Sequence, residues 1–472
     1  MVRTMEELIS NIKEEFNNCS DLIIHKIKNR NKYVYLVYLE TLCSSTQIND
    51  FILKKLTENS KAKNILDFIP TPHTIKLENS NLIEFYLNHG FSIVISDECI
   101  YACETKAELT RSISSPSTEP SLYGPKDAFV ENIQQNMGLI KRRISDSHLK
   151  NKNYNIGRLT KTTCSVIYVD NVVKKSLVNK ICKSLNGIDI DGILDAGNLK
   201  KLIENENKNV FPSTQITERP DVVCKNLLLG KVVILVDNSP FAIIGPAFFA
   251  DFINPIIDNY SKSINTNFLK FLRLLCFILG IVTPGIYVAL TNFNQEAIPL
   301  ELLISFSTQR EGVPFPAIVE CLIMLITCEI LRESDIRFPS SYGSAISILG
   351  ALVLGEAAVS AGIVSPIMII VIAITFIASL MFSDLETIAS IRTWRFIFLL
   401  FAAFWGLYGI SLSIVFLLIS LCSNNSFGYP YFFPIQPFDL SYIKSTLFEA
   451  KSENDNKRSK MLSNNIVKKR DS

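Results

Sequence analysis

Three glutamates carry charge inside long apolar stretches of the sequence: Glu320, Glu329 and Glu356. A charge at the centre of a bilayer costs on the order of 3 kcal/mol on insertion scales, so such side chains face protein or water and not lipid. Two interpretations remain open. One is structural, with interhelical hydrogen bonds or ion pairs to Arg310 or Arg332. The other is functional, with these carboxylates forming an ion path or a coupling site.

Small residues surround the third glutamate in the apolar block 342–362. They recur at steps of three or four, so they fall on one narrow helix face: Ser344, Ser347, Ala351, Gly355, Ala358 and Gly362. Such a stripe lets two helices approach closely, and in a ring of identical subunits it can line a pore. Both interpretations stay open. The candidates for lining or gating a pore are Ser347, Ala351, Val353, Gly355, Glu356 and Ala358.

Residue patterns for enzymatic chemistry do not stand out in this sequence. The four histidines lie far apart, and the 11 cysteines are scattered without a CxxC pair. The glycines form no phosphate loop. Without a nucleophile–base pair, a cluster of metal ligands or a phosphate loop, we expect no enzymatic activity and neither a cofactor nor a metal.

Composition predicts that one part of the chain lies in water and another part in a membrane. Lys and Arg number 47 against 45 Asp and Glu, and this balance argues against a nucleic-acid partner. Residues 1–260 have the pattern of a soluble α/β protein, whereas long apolar blocks begin at Phe268. The charged N-terminal stretch lacks the apolar core of a secretory signal, so we expect the soluble half to stay on the cytoplasmic side.

The soluble half is predicted to contain two related α/β subdomains. A β-rich run from Lys32 is followed by an amphipathic helix and then a hairpin, and the same order recurs from Cys164. One repeated β-α…ββ module explains this order, although any two α/β domains could share it. The predicted domains are 1–110 and 151–262 for the subdomains, 111–150 for a linker with an amphipathic helix, 263–424 for a transmembrane helical domain, and 425–472 for a cytoplasmic basic tail.

The linker is predicted to end in a helix that starts at Gly124 and Pro125, because proline is tolerated in a first turn. Lys141, Arg142 and Arg143 lie in its last turn, where the helix dipole favours cations. Two interpretations remain: a connecting helix, or a docking surface for acidic groups or a neighbouring subunit.

The apolar half contains five candidate spans, since about 20 apolar residues cross a bilayer. Lys270 and Arg273 near the start of the first span are expected to snorkel to the headgroups. Five spans would place the basic tail opposite the soluble half. We therefore expect a re-entrant or interfacial segment near Ile298, and the candidate spans are 268–290, 316–331, 342–361, 363–382 and 394–422.

Several strings, in order, resemble the A subunit of GerA-type spore germinant receptors. They include SPSTEPSLYGPKDAFVENIQQNMGLIKRRI, FPSTQITERPDVV, NQEAIPLELLISFSTQREGVPFPAIVEC and LVLGEAAVSAGIVSP. The resemblance implies a subunit in the inner membrane of bacterial endospores. It also implies a permease-like B subunit and a lipoprotein C subunit as partners, and a homo-oligomer that contacts membrane lipid and passes monovalent cations.

The resemblance also marks residues with expected roles. Candidates for docking to another subunit are Glu119, Gly124, Pro125, Asn136, Arg142 and Arg143. Candidates for a hinge between two arrangements are Arg310, Glu311, Gly312, Pro314 and Pro316. Two alternatives to the receptor channel are a non-receptor membrane scaffold or channel of the same family, and a proton-coupled transporter that uses Glu320 and Glu329.

Overall fold

The structure is a computed structural model of the chain. It describes residues 5–29, 32–54, 56, 74–77, 80–96, 99–107, 116, 118–119, 124–204, 209–255, 258, 260, 263–337, 355–440, 443, 458 and 461–463.

The first unit of the soluble half is an antiparallel sheet of five strands in the order β1-β2-β4-β5-β3. The predicted hairpin is present, with Ile95 opposite Ile100 in the β4–β5 pair. A short helical segment follows β2. The labelled elements are α1 Met5–Glu15, β1 Leu22–Asn29, β2 Lys32–Leu39, β3 Thr74–Leu77, α2 Ile83–Asn88, β4 Phe91–Ile95 and β5 Ile100–Glu104.

The second unit has a five-stranded sheet in the order β6-β7-β9-β10-β8. The helix that follows its second strand ends at Asn186 with Gly187 as the C-cap, the stop that an Asn-Gly pair predicts. The elements are α3 Ile133–Arg143, β6 Leu149–Ile156, β7 Thr162–Val169, α4 Lys175–Asn186, α5 Ala196–Glu204, β8 Gln215–Thr217, α6 Pro220–Leu228, β9 Val232–Val236, β10 Ala242–Gly245 and α7 Phe249–Ile253.

The two sheets share one topology, because the third strand of each unit in chain order lies at the far edge, beside the fifth. This agreement is what a repeated module predicts. In the second unit, two apolar clusters cover opposite faces of the sheet. Strand β9 is buried along its whole length, which explains its unbroken apolar run.

The linker helix begins later than predicted. Helix α3 starts at Ile133, and the stretch that follows Gly124 is not helical. Asn132 provides the N-cap, since its side chain accepts hydrogen bonds from the backbone of Gln134 and of the next residue. The preceding backbone is instead held to the second unit, where the Phe129 N–H donates to the Glu218 carbonyl at 2.8 Å.

The apolar half is helical. Two helices among the described residues are long and apolar enough to cross a membrane, Ile264–Asn292 and Leu385–Ser423, and Pro366–Ser379 is a shorter apolar helix. The predicted block 316–331 is helical but carries two glutamates. The elements are α8 Ser263–Asn292, α9 Leu300–Arg310, α10 Ala317–Arg337, α11 Pro366–Ser379 and α12 Leu385–Ser423.

Helix α12 reverses direction at Gly406, whose backbone is non-helical with φ 57° and ψ −137°. A straight helix would separate Ser390 from Ser420 by about 45 Å. Instead, the Ser390 hydroxyl donates to the Val210 carbonyl and the Asn209 amide donates to the Ser420 carbonyl. The block predicted as one long span is therefore a C-terminal helical hairpin, comprising residues 385–405 and 407–423.

The chain after the hairpin packs on the second unit. Tyr429 and Phe433 join an apolar cluster of its sheet, and Tyr431 is fully buried beside helix α7. Farther along, Ser463 forms a bridge with Val173. The described part of the predicted tail thus contacts the second unit, because the reversal at Gly406 returns the chain to it.

Candidate functional site

Glu320 is the most buried charge in the described apolar half, with a side chain that is 0% exposed. Its Oε2 accepts hydrogen bonds from the Ser365 backbone N–H at 3.0 Å and from the Ser365 hydroxyl at 2.9 Å. The Nε of Arg310 lies 3.4 Å from its Oε1. Glu320 and Arg310 therefore form the ion pair that the structural interpretation of the sequence predicts. This pair and the Ser365 hydrogen bonds join α9, α10 and the start of α11.

The hinge candidates lie at this ion pair. Arg310 is the last residue of α9, and Glu311, Gly312, Pro314 and Pro316 lead into α10. A Cβ placed on Gly362 would lie 3.0 Å from the Gly312 carbonyl oxygen, so the two loops are in close contact. A movement of the hinge segment would therefore change the surroundings of the buried pair.

Glu329 lies among arginines nearer the soluble half. Its carboxylate pairs with Arg392 at 2.6 Å and with Arg332 at 3.7 Å. The buried Arg395 donates instead to the Gly280 carbonyl at 2.7 Å, which connects the hairpin to α8. Glu329 is therefore a shared partner of cations from two helices.

Glu356 differs from the other two glutamates because it is exposed in the chain. It lies in the helical stretch 355–360, next to the half-buried Gly355 and in the same turn as the half-buried Ala358. No ion-pair partner for Glu356 is found in the part of the chain that the structure describes. The other pore candidates, Ser347, Ala351 and Val353, lie outside the described residues.

The soluble half is bonded to the apolar helices at several points. Asp258 and Arg273 form a buried bidentate ion pair, with Nη2 and Oδ1 at 2.9 Å. Arg273 therefore does not snorkel to headgroups as predicted, because a carboxylate of the same chain binds it. Lys200 of α5 pairs with Glu386 at the start of the hairpin. Each of these pairs joins the second unit to a long helix.

The ion pairs Asp258–Arg273 and Lys200–Glu386 form a junction between the second unit and the long helices. Removing the Asp258 carboxylate is expected to weaken this junction. Asp258→Asn should lower the free energy of unfolding by about 2 kcal/mol, because hydrogen bonds to charged groups contribute about 1.5–3 kcal/mol. Thermal unfolding of the purified chain measures the loss. Asp189→Asn is the control, since Asp189 and Arg158 form an exposed pair with both side chains 68% accessible. Equal losses in the two variants would contradict a special role for the junction.

The linker is attached to the second unit through Glu218 and Glu119, which are far apart in sequence but close together in space. Glu218 accepts hydrogen bonds from the Thr118 N–H, the Thr118 hydroxyl and the Glu119 N–H. The Glu119 carboxylate accepts from the Thr217 hydroxyl at 2.8 Å. Burial raises the pKa of Glu119 from its ordinary 4.5 to about 7, although the Thr217 hydrogen bond and Arg219 act in the opposite direction.

This raised pKa makes stability depend on pH. The folded chain holds the Glu119 proton more tightly than the unfolded chain does, so the contribution is complete below pH 4.5 and is lost as the pH rises to about 7. A shift of this size corresponds to at most about 3 kcal/mol. The free energy of unfolding, measured from pH 4.5 to 8 in the parent and in Glu119→Gln, should diverge across this interval. A constant difference would contradict the assignment.

Most other docking candidates make contacts inside the chain. Asn136 is buried and exchanges two hydrogen bonds with the Val130 backbone. Arg143 pairs with Asp127. Gly124 lies against the Tyr260 ring with φ +112°, a conformation that glycine tolerates. The neighbouring Pro125 is partly exposed, whereas Arg142 is exposed and so remains open to a partner.

Comparison with known proteins identifies the family of this chain. Residues 10–461 match the family described as Bacillus/Clostridium GerA spore germination protein. The chain therefore belongs to the GerA family of spore germination proteins.

Named relatives agree with this assignment. Spore germination protein KA of Bacillus subtilis (strain 168) is 38% identical over 467 residues, which cover 96% of this chain and 86% of the relative. Spore germination protein A1 of the same organism is 36% identical over 79% of this chain and 77% of the relative. The uncharacterized membrane protein YfkQ, also from that organism, is 32% identical over 93% of this chain and 89% of the relative.

A solved structure also matches part of the chain. It is the crystal structure of the N-terminal domain of the A subunit of the Bacillus megaterium spore germinant receptor GerK3, with 31% sequence identity and a TM-score of 0.41. The match covers 52% of this chain and 96% of that one.

Proposed function

We propose that the chain is the A subunit of a nutrient germinant receptor in the inner spore membrane, and that it oligomerises there into a channel for monovalent cations. Family membership and the names of its relatives support a role in spore germination. The two long apolar helices support a membrane location. On this proposal the soluble half faces the cytoplasm or spore core.

The exposed carboxylate of Glu356 is the observation that carries the channel proposal. A charge facing lipid is costly, on the order of 3 kcal/mol at the bilayer centre. The exposed face of residues 355–360 therefore favours water or a second copy of the chain as its neighbour. Gly355 and Ala358 are small, and small residues leave room for water in a shared pore.

Partners of the proposed receptor are a permease-like B subunit, which binds the nutrient, and a lipoprotein C subunit. The junction supports a mechanical link between them and the channel. Asp258 holds α8, and Lys200 and Asn209 hold the two ends of the hairpin. A displacement of the second unit caused by a partner would therefore reach the apolar helices directly.

Enlarging the small-residue face tests the channel proposal. Gly355→Leu should reduce nutrient-triggered potassium release from spores at least tenfold, because the larger side chain fills space needed by water and ions. Val353→Ala should change release as well. Ala373→Leu is the control for adding a leucine to an exposed position of the apolar half, since Ala373 is exposed on the separate helix α11. Unchanged release in both Gly355→Leu and Val353→Ala would exclude this pore.

A non-receptor membrane scaffold or channel of the same family is the second candidate. The similarity to YfkQ keeps this candidate in view, because that protein's name says membrane protein and not germination protein. Neighbouring genes for a permease-like protein and a lipoprotein would support the receptor, and their absence would support the scaffold. A proton-coupled transporter is not favoured, since Glu320 and Glu329 each have an arginine partner.

A further inference from the structure

We infer that a cluster of three arginines in the apolar half binds the phosphate group of an anionic phospholipid. This arginine cluster consists of Arg332 on α10 and of Arg392 and Arg395 in the first arm of the hairpin. Among the residues that the structure describes, Glu329 is the one carboxylate that forms ion pairs with it. The inference rests on the membrane location in the proposed function and adds a defined lipid site to it.

The arginine cluster carries more positive charge than its surroundings neutralise. Arg392 donates to the Glu329 carboxylate at 2.6 Å, whereas Arg332 lies 3.7 Å from that carboxylate, beyond the range of a hydrogen bond. Arg395 donates to a backbone carbonyl of α8, which has no net charge. The next glutamate on α10, Glu333, is exposed. Three guanidinium groups thus share one carboxylate at the cluster, and an anion would offset the two remaining charges.

Three buried nitrogen atoms of the cluster have no hydrogen-bond acceptor within the described part of the chain. They are Nη1 of Arg332, Nε of Arg392 and Nη2 of Arg395. Arg395 is also only 2% exposed, so its guanidinium group is shielded from water. A guanidinium group presents its N–H donors in a planar fork that fits two oxygens of a phosphate group. The unpaired donors therefore indicate affinity for an anion of that shape.

Neighbouring residues hold the guanidinium groups in place without neutralising them. The Arg332 guanidinium lies 4.8 Å from the centre of the Phe376 ring, and its Nη2 lies 3.5 Å from the Ser379 hydroxyl oxygen. The Gly280 carbonyl accepts from the Nε of Arg395 at 2.7 Å. Because these donors are already oriented, binding an anion would cost little side-chain freedom.

The position of the cluster along the hairpin matches the depth of lipid headgroups. Ser390 donates to the Val210 carbonyl of the second unit. Arg392 and Arg395 follow Ser390 by about 3 and 8 Å along the helix axis. The headgroup region of one leaflet is about 5–8 Å thick. In the proposed membrane location, the arginines therefore reach the phosphate groups of the leaflet that faces the soluble half.

Apolar side chains beside the cluster favour a lipid over a free anion. Ile330 follows Glu329 on α10, and Ile377 and Leu380 lie at the end of α11, and all three are more than half exposed. Acyl chains would cover these side chains, whereas inorganic phosphate would contact only the arginines. Basic pockets between membrane helices on the cytoplasmic side are typical sites for lipid headgroups.

Native mass spectrometry of the full-length chain in detergent micelles tests this inference. The probes are phosphatidylglycerol, phosphatidylcholine with the same acyl chains, and inorganic phosphate. We expect phosphatidylglycerol to bind at least tenfold more tightly than phosphatidylcholine, because the choline ammonium group balances the phosphate charge. Inorganic phosphate should also bind at least tenfold more weakly, because it makes no contact with the apolar side chains.

Four variants assign the binding to the arginine cluster. Arg332→Gln should weaken phosphatidylglycerol binding at least fivefold, whereas Arg332→Lys keeps the charge and should recover most of the affinity. Glu329→Gln should strengthen binding, because it removes the carboxylate that competes with the lipid phosphate. Arg142→Gln is the control, since it removes the same charge from an exposed position of the soluble half, and its affinity should stay within twofold of the parent.

Several results would overturn the inference. They are equal binding of the two lipids, binding of inorganic phosphate as tight as that of phosphatidylglycerol, an equal loss in Arg142→Gln, or weaker binding in Glu329→Gln. Thermal unfolding first checks that each variant is folded, and Arg392→Gln, at the more exposed arginine, gives the reading if Arg332→Gln is not. Lipid binding is measured without ion conduction, so the channel proposal and this site can fail independently.

Discussion

Gly406→Val is expected to destabilise the C-terminal helical hairpin severely. At φ 57° and ψ −137° the backbone occupies a region essentially restricted to glycine. Forcing another residue into it costs about 1–3 kcal/mol, and overpacking adds about 1–3 kcal/mol. A Cβ would lie 2.8 Å from both the Phe293 Cβ and the Asn294 Oδ1. The Asn294 Oδ1 also accepts the Leu407 N–H, so the clash would break this contact at the turn.

Thermal unfolding of the purified chain, followed by tryptophan fluorescence, measures this effect. Gly312→Val is the matched control within the apolar half, because a Cβ on Gly312 meets nothing within 4 Å. We expect a small change in the control and a large decrease in the midpoint for Gly406→Val. Equal midpoints for the two variants would show that the chain does not reverse at Gly406.

Glu320→Gln is expected to lower the free energy of unfolding by about 3–5 kcal/mol, because removing one partner of a buried ion pair leaves the other charge uncompensated. The glutamine keeps an acceptor for Ser365, so the loss reports mainly on the unpaired Arg310. Urea unfolding in detergent micelles gives the measurement. Local opening of the hinge segment should increase in parallel, detected as faster hydrogen exchange at residues 311–316.

Two comparison variants make the Glu320 result specific. Glu311→Gln removes an exposed charge next to Arg310 and should change stability by less than about 0.5 kcal/mol. The double variant Arg310→Met with Glu320→Gln should recover most of the loss, since it removes the uncompensated charge while the glutamine still accepts from Ser365. A double variant no more stable than Glu320→Gln would contradict the ion-pair account.

Local signals in the sequence predicted the second unit well. The stop at Asn186 and Gly187 depends only on the C-cap, and the β9–β10 hairpin depends on two apolar runs around a turn. The shared order of both sheets followed from repeating these short-range patterns. In each case the residues that determine the structure are close together along the chain.

Long-range contacts explain what the sequence could not predict. A proline can begin a helix, but Pro125 lies in backbone held to Glu218 and its neighbours, so α3 starts at Ile133. Gly406 looks like an ordinary glycine in an apolar span, and only its contact with Asn294 reveals the reversal. The pocket between the two units, lined by Asp21 and Asn151 among others, likewise requires residues from both units, which no spacing along the chain brings together.

Packing of residues 425–440 and 461–463 on the second unit has a consequence for biosynthesis. Tyr429, Phe433 and Leu462 complete an apolar cluster whose other members precede residue 250. A ribosome makes the chain from the N-terminus, and domains generally fold as they emerge. This unit, however, lacks part of its core until the whole apolar half has been translated. Its folding is therefore completed only after the apolar half has been made, and a premature stop after Ser423 would leave this cluster without three of its buried members.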